Sequence, residues 1–84
     1  MNIFVANLNY GITGEDLKEI FGEYGNVTSA RVVTDRETRR SKGFGFVEIE
    51  SDSDALKAIE ELNEASIKGR NIVVKVAEPS KPRD

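Results

Sequence analysis

Apolar residues recur along the chain with two spacings, one typical of strands and one typical of helices. Short runs rich in β-branched and aromatic residues predict four strands, at 3–6, 27–34, 43–49 and 71–77. Two intervening segments place apolar residues three and four positions apart, which predicts helices that each have one apolar stripe. The stripe residues are Leu17, Ile20, Phe21 and Tyr24 in the first helix and Ala55, Ala58, Ile59 and Leu62 in the second.

The helix ends are marked by residues that favour capping. Thr13, with Asp16 three residues later, is close to a capping box. Ser51 or Asp52 is expected to cap the second helix. The pair at 25–26, Gly followed by Asn, is expected to end the first helix in a left-handed cap.

The elements follow the order βαββαβ, and this order predicts a fold. Because each helix has one apolar stripe, both helices must lie on one face of a single sheet. Right-handed crossovers then give a four-stranded antiparallel sheet with strand order 4-1-3-2, an α+β ferredoxin-like sandwich. The segments 35–42 and 63–69 are predicted to be loops. The domain is expected to span 1–78, followed by a short polar tail at 79–84.

One face of the predicted sheet is left uncovered, and alternation along the strands decides which residues lie there. The aliphatic residues of the first and third strands are needed against the helices. Three of the four Phe residues therefore face water, namely Phe4, Phe44 and Phe46. Bases of single-stranded nucleic acid stack on such rings, at about 1–3 kcal/mol per base. Gly43 and Gly45 fall on the inner face, where they are expected to let the helices pack closely.

Charge is segregated along the chain, although the net charge of -3 by itself argues against a nucleic-acid ligand. Residues 31–42 and residues 68–84 each contain five basic and two acidic side chains. The acids concentrate in 15–23 and 48–64, which include most of both helices. If the basic segments meet in the fold, the net charge is a poor guide to the partner. The cations expected to hold phosphates are Arg31, Arg39, Arg40, Lys42 and Lys75.

The chain contains no Cys and no His, which excludes several kinds of chemistry. A disulfide framework, a thiol nucleophile, a Cys/His zinc site and a Ser–His pair are all ruled out. No apolar run is long enough to cross a bilayer, and residues 1–8 do not resemble a secretory signal. We therefore expect a cytoplasmic protein with no cofactor, no bound metal, no membrane partner and no small-molecule substrate.

The third predicted strand resembles the octamer of the RNA recognition motif, K/R-G-F/Y-G/A-F-V-x-F/Y. Residues 42–49 are KGFGFVEI, which departs from that pattern only at the last position. Residues 3–8, IFVANL, match the family's hexamer, and DRET at 35–38 and Gly69-Arg70 are also typical of it. The resemblance covers nearly all of the chain. It implies base contacts from the three rings, a phosphate contact from Lys42 and backbone contacts near 75–78.

Within this family the chain is similar to small single-domain bacterial RNA-binding proteins, because its hexamer begins at the third residue. The resemblance implies binding of single-stranded RNA, with single-stranded DNA as an alternative ligand, and a role in post-transcriptional regulation. A protein partner or a weak homodimer is compatible with it, since one small domain binds weakly. The family often has Gly where Arg39 stands. The remaining candidate RNA contacts are Asn7, Tyr10 and Ala77.

Two other function classes use the same strand order. Acylphosphatase-like enzymes need a cation in the loop after the first strand, and residues 7–14 contain no Lys or Arg. This favours a protein that is not an enzyme. Some relatives of the family instead bind peptides through an acidic first helix and an Arg-x-Phe element. The acidic helix is present here, but Arg70-Asn71-Ile72 replaces that element, so a protein–protein module remains the alternative.

Overall fold

A computed structural model of the protein describes residues 1–77 and confirms the predicted sandwich. The elements are β1 (Asn2–Ala6), α1 (Gly14–Gly22), β2 (Val27–Thr34), β3 (Ser41–Ile49), α2 (Asp52–Leu62), β4 (Ser66–Ile67), β5 (Arg70–Asn71) and β6 (Val73–Val76). The four-stranded sheet has the order β2-β3-β1-β6 and is antiparallel throughout, and a separate two-stranded hairpin pairs β4 with β5. Because β6 is the fourth predicted strand, this is the predicted order 4-1-3-2.

Both helices begin at the residues that favour capping. The Thr13 hydroxyl accepts a hydrogen bond from the Asp16 backbone N–H at 3.2 Å, and the Thr13 N–H donates to the Asp16 carboxylate at 3.0 Å. These two bonds make a complete capping box, which satisfies two backbone N–H groups that have no partner within the helix. Ser51, rather than Asp52, caps α2, and its hydroxyl accepts from the Asp54 N–H at 3.4 Å.

The end of α1 differs from the prediction. The helix stops at Gly22, and its cap residue Glu23 is right-handed with φ -73°. Neither Gly25 nor Asn26 has a positive φ, so the predicted left-handed cap is wrong. Gly25 instead allows a close approach, because a Cβ there would lie 2.6 Å from the Cβ of Asp54 in α2. The glycine is needed for packing rather than for its backbone conformation.

The core lies between the sheet and the two helices, as alternation predicted. The inward-facing strand residues Ile3, Val5, Val47 and Ile49 are all fully buried. Phe21, on α1, is also fully buried and is the largest such side chain. No Phe of the opposite sheet face belongs to this buried cluster. Neither helix described in residues 1–77 is long and apolar enough to cross a membrane.

The two glycines of β3 do not act as predicted. A Cβ on Gly45 would overlap the carbonyl oxygen of Arg31 and lie 2.9 Å from the Cα of Val32. Its nearest neighbours therefore belong to β2 and not to a helix. Gly43 has φ +85°, a left-handed conformation that side-chain-bearing residues rarely adopt. The prediction of close helix packing is wrong. Gly45 instead permits the close approach of β2, and Gly43 permits a left-handed backbone within β3.

The segment after α2 contains more strands than predicted, β4, β5 and β6 instead of one. The expected loop at 63–69 contains β4, and a tight turn with positive φ at Lys68 and Gly69 leads into β5. The expected strand at 71–77 is interrupted at Ile72. The Ile72 N–H donates to the Ala65 carbonyl, and the Ile72 carbonyl accepts from the Glu64 N–H, instead of bonding to the main sheet. The predicted domain end at 78 and the tail at 79–84 lie outside the described residues.

Candidate nucleic-acid interface

The sheet face opposite the helices, called the open face below, has a row of four side chains that crosses every strand. The strand register pairs Arg31 with Phe46, Phe46 with Phe4, and Phe4 with Lys75. Arg31 and Lys75 are exposed at the two edges of the sheet, and the rings occupy its centre. The register therefore places two aromatic rings between two cations.

Phe4, Phe44 and Phe46 together form an aromatic patch on the open face. Their ring centroids are 5.6 Å apart for Phe4 and Phe46, 5.8 Å for Phe4 and Phe44, and 6.3 Å for Phe44 and Phe46. These are contact distances for tilted and edge-on rings. Each ring shields part of its neighbours, so the three are partly buried rather than fully exposed. The predicted single patch is present in the structure.

Arg31, one of the predicted phosphate contacts, lies beside this aromatic patch. Its guanidinium carbon lies 5.6 Å from the centroid of the Phe46 ring. At that distance a guanidinium is attracted to the ring face, a cation–π interaction. The contact holds a positive charge beside the aromatic patch and identifies the side of β2 that joins the open face.

The loop between β2 and β3 is organised by Asp35. Its carboxylate accepts backbone hydrogen bonds from Thr38 at 3.1 Å and Glu37 at 2.7 Å, which hold the pKa of Asp35 below its usual value. Arg39 donates its N–H to the Asp35 carbonyl at 2.8 Å and has φ 63°. This left-handed backbone is one that Gly adopts readily and that residues with a side chain rarely adopt. Arg39 and Arg40 are both exposed at this end of the hairpin.

A pocket of about 250 Å³ next to Phe44 brings the two basic segments together. Lys42 comes from the first segment and Arg70 from the second, and both line this pocket. Tyr10 also lines it and is 68% exposed. The remaining lining residues are Phe4, Ala6, Asn7, Leu8, Gly43 and Phe44.

Arg70 lines this pocket but was not predicted as a site residue. Hydrogen bonds of Asn7 account for its position. The Asn7 amide nitrogen donates to the Asn71 carbonyl at 2.7 Å, and its oxygen accepts from the Arg70 guanidinium at 2.9 Å. Asn7 therefore connects the end of β1 to β5 and holds Arg70 at the edge of the pocket. Gly69-Arg70 was recognised as typical of the family, but only the β4–β5 hairpin places Arg70 near the rings.

A second pocket, of about 300 Å³, lies next to Phe46 at the other end of the open face. Ala77, one of the predicted RNA contacts, lines this pocket. Its N–H donates to the Asn2 carbonyl at 2.9 Å. Three polar residues of this pocket were not predicted as site residues: Asn2, Ser29 and Glu48. Alternation had placed Glu48 on the correct face. Glu78, the last of the predicted backbone contacts, lies outside the described residues.

Comparison with known proteins identifies the family. The model of the RNA recognition motif matches residues 3–73, and the chain belongs to this family. Its fold superimposes with a TM-score of 0.91 on the crystal structure of an RNA-binding protein called PG1, which is 55% identical, over 99% of both chains.

Two further similarities extend this result. RbpA of the cyanobacterium Synechocystis sp., named as a candidate RNA-binding protein, is 46% identical over 83 residues, which are 99% of this chain and 82% of RbpA. A complex of the Sxl-lethal protein with RNA matches with a TM-score of 0.85 and 33% identity, over 90% of this chain and 47% of that chain. The predicted likeness to small bacterial members of the family is confirmed.

Proposed function

We propose that this protein binds single-stranded RNA on its open face and catalyses no reaction. The observation that carries the proposal is the row of Arg31, Phe46, Phe4 and Lys75 across all four strands. Bases stack on aromatic rings, and cations at the two edges hold the phosphates on either side of them. A single domain of this kind holds two to three bases on its sheet.

The cations of both basic segments surround the aromatic patch and supply the phosphate contacts. Arg31 lies over Phe46, Lys75 pairs with Phe4 across strands, and Lys42 and Arg70 line the pocket next to Phe44. The acidic residues concentrate in the helices on the opposite face. The helices repel a polyanion while the open face attracts it, so the RNA approaches from one side.

The relatives support an RNA ligand. PG1 and RbpA bear names that refer to RNA binding, and the Sxl-lethal protein is in complex with RNA. We propose that this chain likewise acts by binding RNA. We propose that it does so in the cytoplasm, in post-transcriptional regulation.

The peptide-binding alternative lacks the aromatic residue of its Arg-x-Phe element. That function is expected to use an Arg-x-Phe element, and Ile72 occupies the position of its Phe. Ile72 is only 1% exposed and belongs to the buried core. It therefore presents nothing to a partner, and the acidic outer face of α1 alone does not favour a peptide ligand.

Fluorescence anisotropy with labelled single-stranded RNA octamers tests the proposal. We expect saturable binding at low salt that weakens as salt is raised, because phosphate contacts release counterions. Competition with unlabelled DNA of the same sequence measures the preference for RNA. A protein that is folded by circular dichroism and yet gives no anisotropy change at low salt would contradict the proposal.

The β2–β3 loop is expected to contribute phosphate contacts. Arg39→Gln and Arg40→Gln should each reduce the slope of log K against log salt by about 0.7, the value for one contact to a single strand. Lys57→Gln is the matched control, because it removes one exposed cation from α2, on the opposite face. Titrations at four salt concentrations measure the slopes. Equal slopes for all three variants and the wild type would show that the loop does not contact phosphate.

A further inference from the structure

The pocket next to Phe46 differs from the rest of the aromatic patch because a carboxylate lines it. Glu48 lies on the open face, two residues after Phe46, and is exposed. A negative charge beside a phosphate chain weakens binding unless it makes a specific contact. The position of Glu48 in the proposed RNA interface therefore requires a chemical reason.

Arg31 and Glu48 line this pocket together and supply opposite kinds of hydrogen-bonding group. A carboxylate offers two acceptor oxygens side by side, whereas a guanidinium offers only donors. Within residues 1–77 the only ion pair joins the Met1 amine to Asp52, at 3.6 Å, so Arg31 and Glu48 do not neutralise each other there. Phe46 lines the same pocket and supplies an aromatic ring for stacking.

Guanine is the base whose edges match these groups. Its Watson–Crick edge carries two adjacent donors, N1–H and the 2-amino group, which fit the two oxygens of a carboxylate. Adenine and cytosine place one amino group beside an acceptor nitrogen, and uracil has one N–H between two carbonyls. Guanine also presents O6 and N7 as acceptors, the pair that arginine recognises most often.

We infer that the pocket lined by Phe46, Arg31 and Glu48 is a guanine-specific subsite, in which Glu48 accepts hydrogen bonds from N1–H and the 2-amino group of a stacked guanine. This inference rests on the proposed function and assigns a base preference to the same site. The other bases lose the paired contact and leave the carboxylate facing an acceptor atom. Selectivity therefore comes from repulsion as well as attraction.

Anisotropy titrations with four RNA octamers test the subsite. Each octamer consists of uridine except at its fifth position, which is guanosine, inosine, adenosine or uridine. We expect the wild type to bind the guanine octamer at least about fivefold more tightly than the adenine and uracil ones, the lower end for one bidentate base contact. Inosine lacks the 2-amino group and should fall between them.

Two variants assign the preference to the carboxylate. Glu48→Gln keeps the size of the side chain but replaces one acceptor oxygen by a donor, so its preference for guanine should fall to about twofold or less. Its affinity for the all-uridine octamer should not fall, because a negative charge has been removed. Glu60→Gln removes the same charge from the exposed surface of α2 and should keep the full preference.

The outcomes separate the two proposals. Equal binding of all four octamers by the wild type, or a guanine preference that survives in Glu48→Gln, would overturn the guanine subsite and leave RNA binding intact. A folded wild-type protein that binds none of the octamers would overturn the proposed function and the subsite with it.

Discussion

Phe44→Ala and Phe46→Ala are each expected to weaken binding of single-stranded RNA by about 1–3 kcal/mol, the contribution of one stacked base. The double variant should lose more than either single one. Both rings contact Phe4 on the open face and lie outside the buried core. Their removal therefore takes away the stacking surface while the packing between sheet and helices remains.

Leu56→Ala is the control for this result. Leu56 is 50% exposed on α2 and has no place on the open face, so its removal should leave RNA affinity unchanged. Anisotropy titrations give the affinities, and circular dichroism with thermal melts confirms that each variant is folded. A folded double variant with wild-type affinity would show that these two rings do not hold the bases.

Phe21→Ala is expected to produce the opposite pattern, a large loss of stability without a direct effect on binding. Phe21 is fully buried on α1 and is the one Phe of the chain that lies outside the aromatic patch. Removing a buried Phe side chain costs about 3–5 kcal/mol through lost burial and the cavity that remains. That is a large part of the 5–15 kcal/mol that typically stabilises a small domain.

Urea denaturation measures this loss, with Leu56→Ala as the exposed comparison. Where Phe21→Ala is still folded, its RNA affinity should match the wild type, because the open face is unchanged. A loss below about 1 kcal/mol would contradict the assignment of Phe21 to the core. Together, the Phe variants separate the residues that fold the protein from those proposed to bind RNA.

The main sheet and both helices were predictable because their signals are local. Alternation in β1 and β3 assigned the buried and open faces correctly, and spacing in α1 identified Phe21 as a core residue. Thr13 and Ser51 marked the helix starts through capping contacts between residues three positions apart. Such contacts depend on neighbours along the chain, which a sequence displays directly.

The errors occurred where contacts join distant segments. Gly25 and Gly45 are required by close approaches to Asp54 and to the β2 backbone, neither of which is adjacent in sequence. The β4–β5 hairpin has strands of only two residues, too short to produce a periodic pattern. Local spacing could not identify either feature.

The same distinction applies to the candidate site. The aromatic patch follows from alternation and from the order of two central strands. Arg70 reaches the pocket next to Phe44 through Asn7, 63 positions earlier in the chain. Glu48 joins Arg31 in one pocket through the pairing of β2 with β3. These groupings depend on the strand register, which fixes neighbours across the sheet.

An NMR titration of the isotope-labelled protein with a single-stranded RNA octamer tests the central claim most directly. We expect the largest chemical-shift changes in the ring protons of Phe4, Phe44 and Phe46 and in the amides of β1 and β3. Changes confined to the outer faces of α1 and α2, with the three rings unaffected, would contradict an RNA interface on the open face.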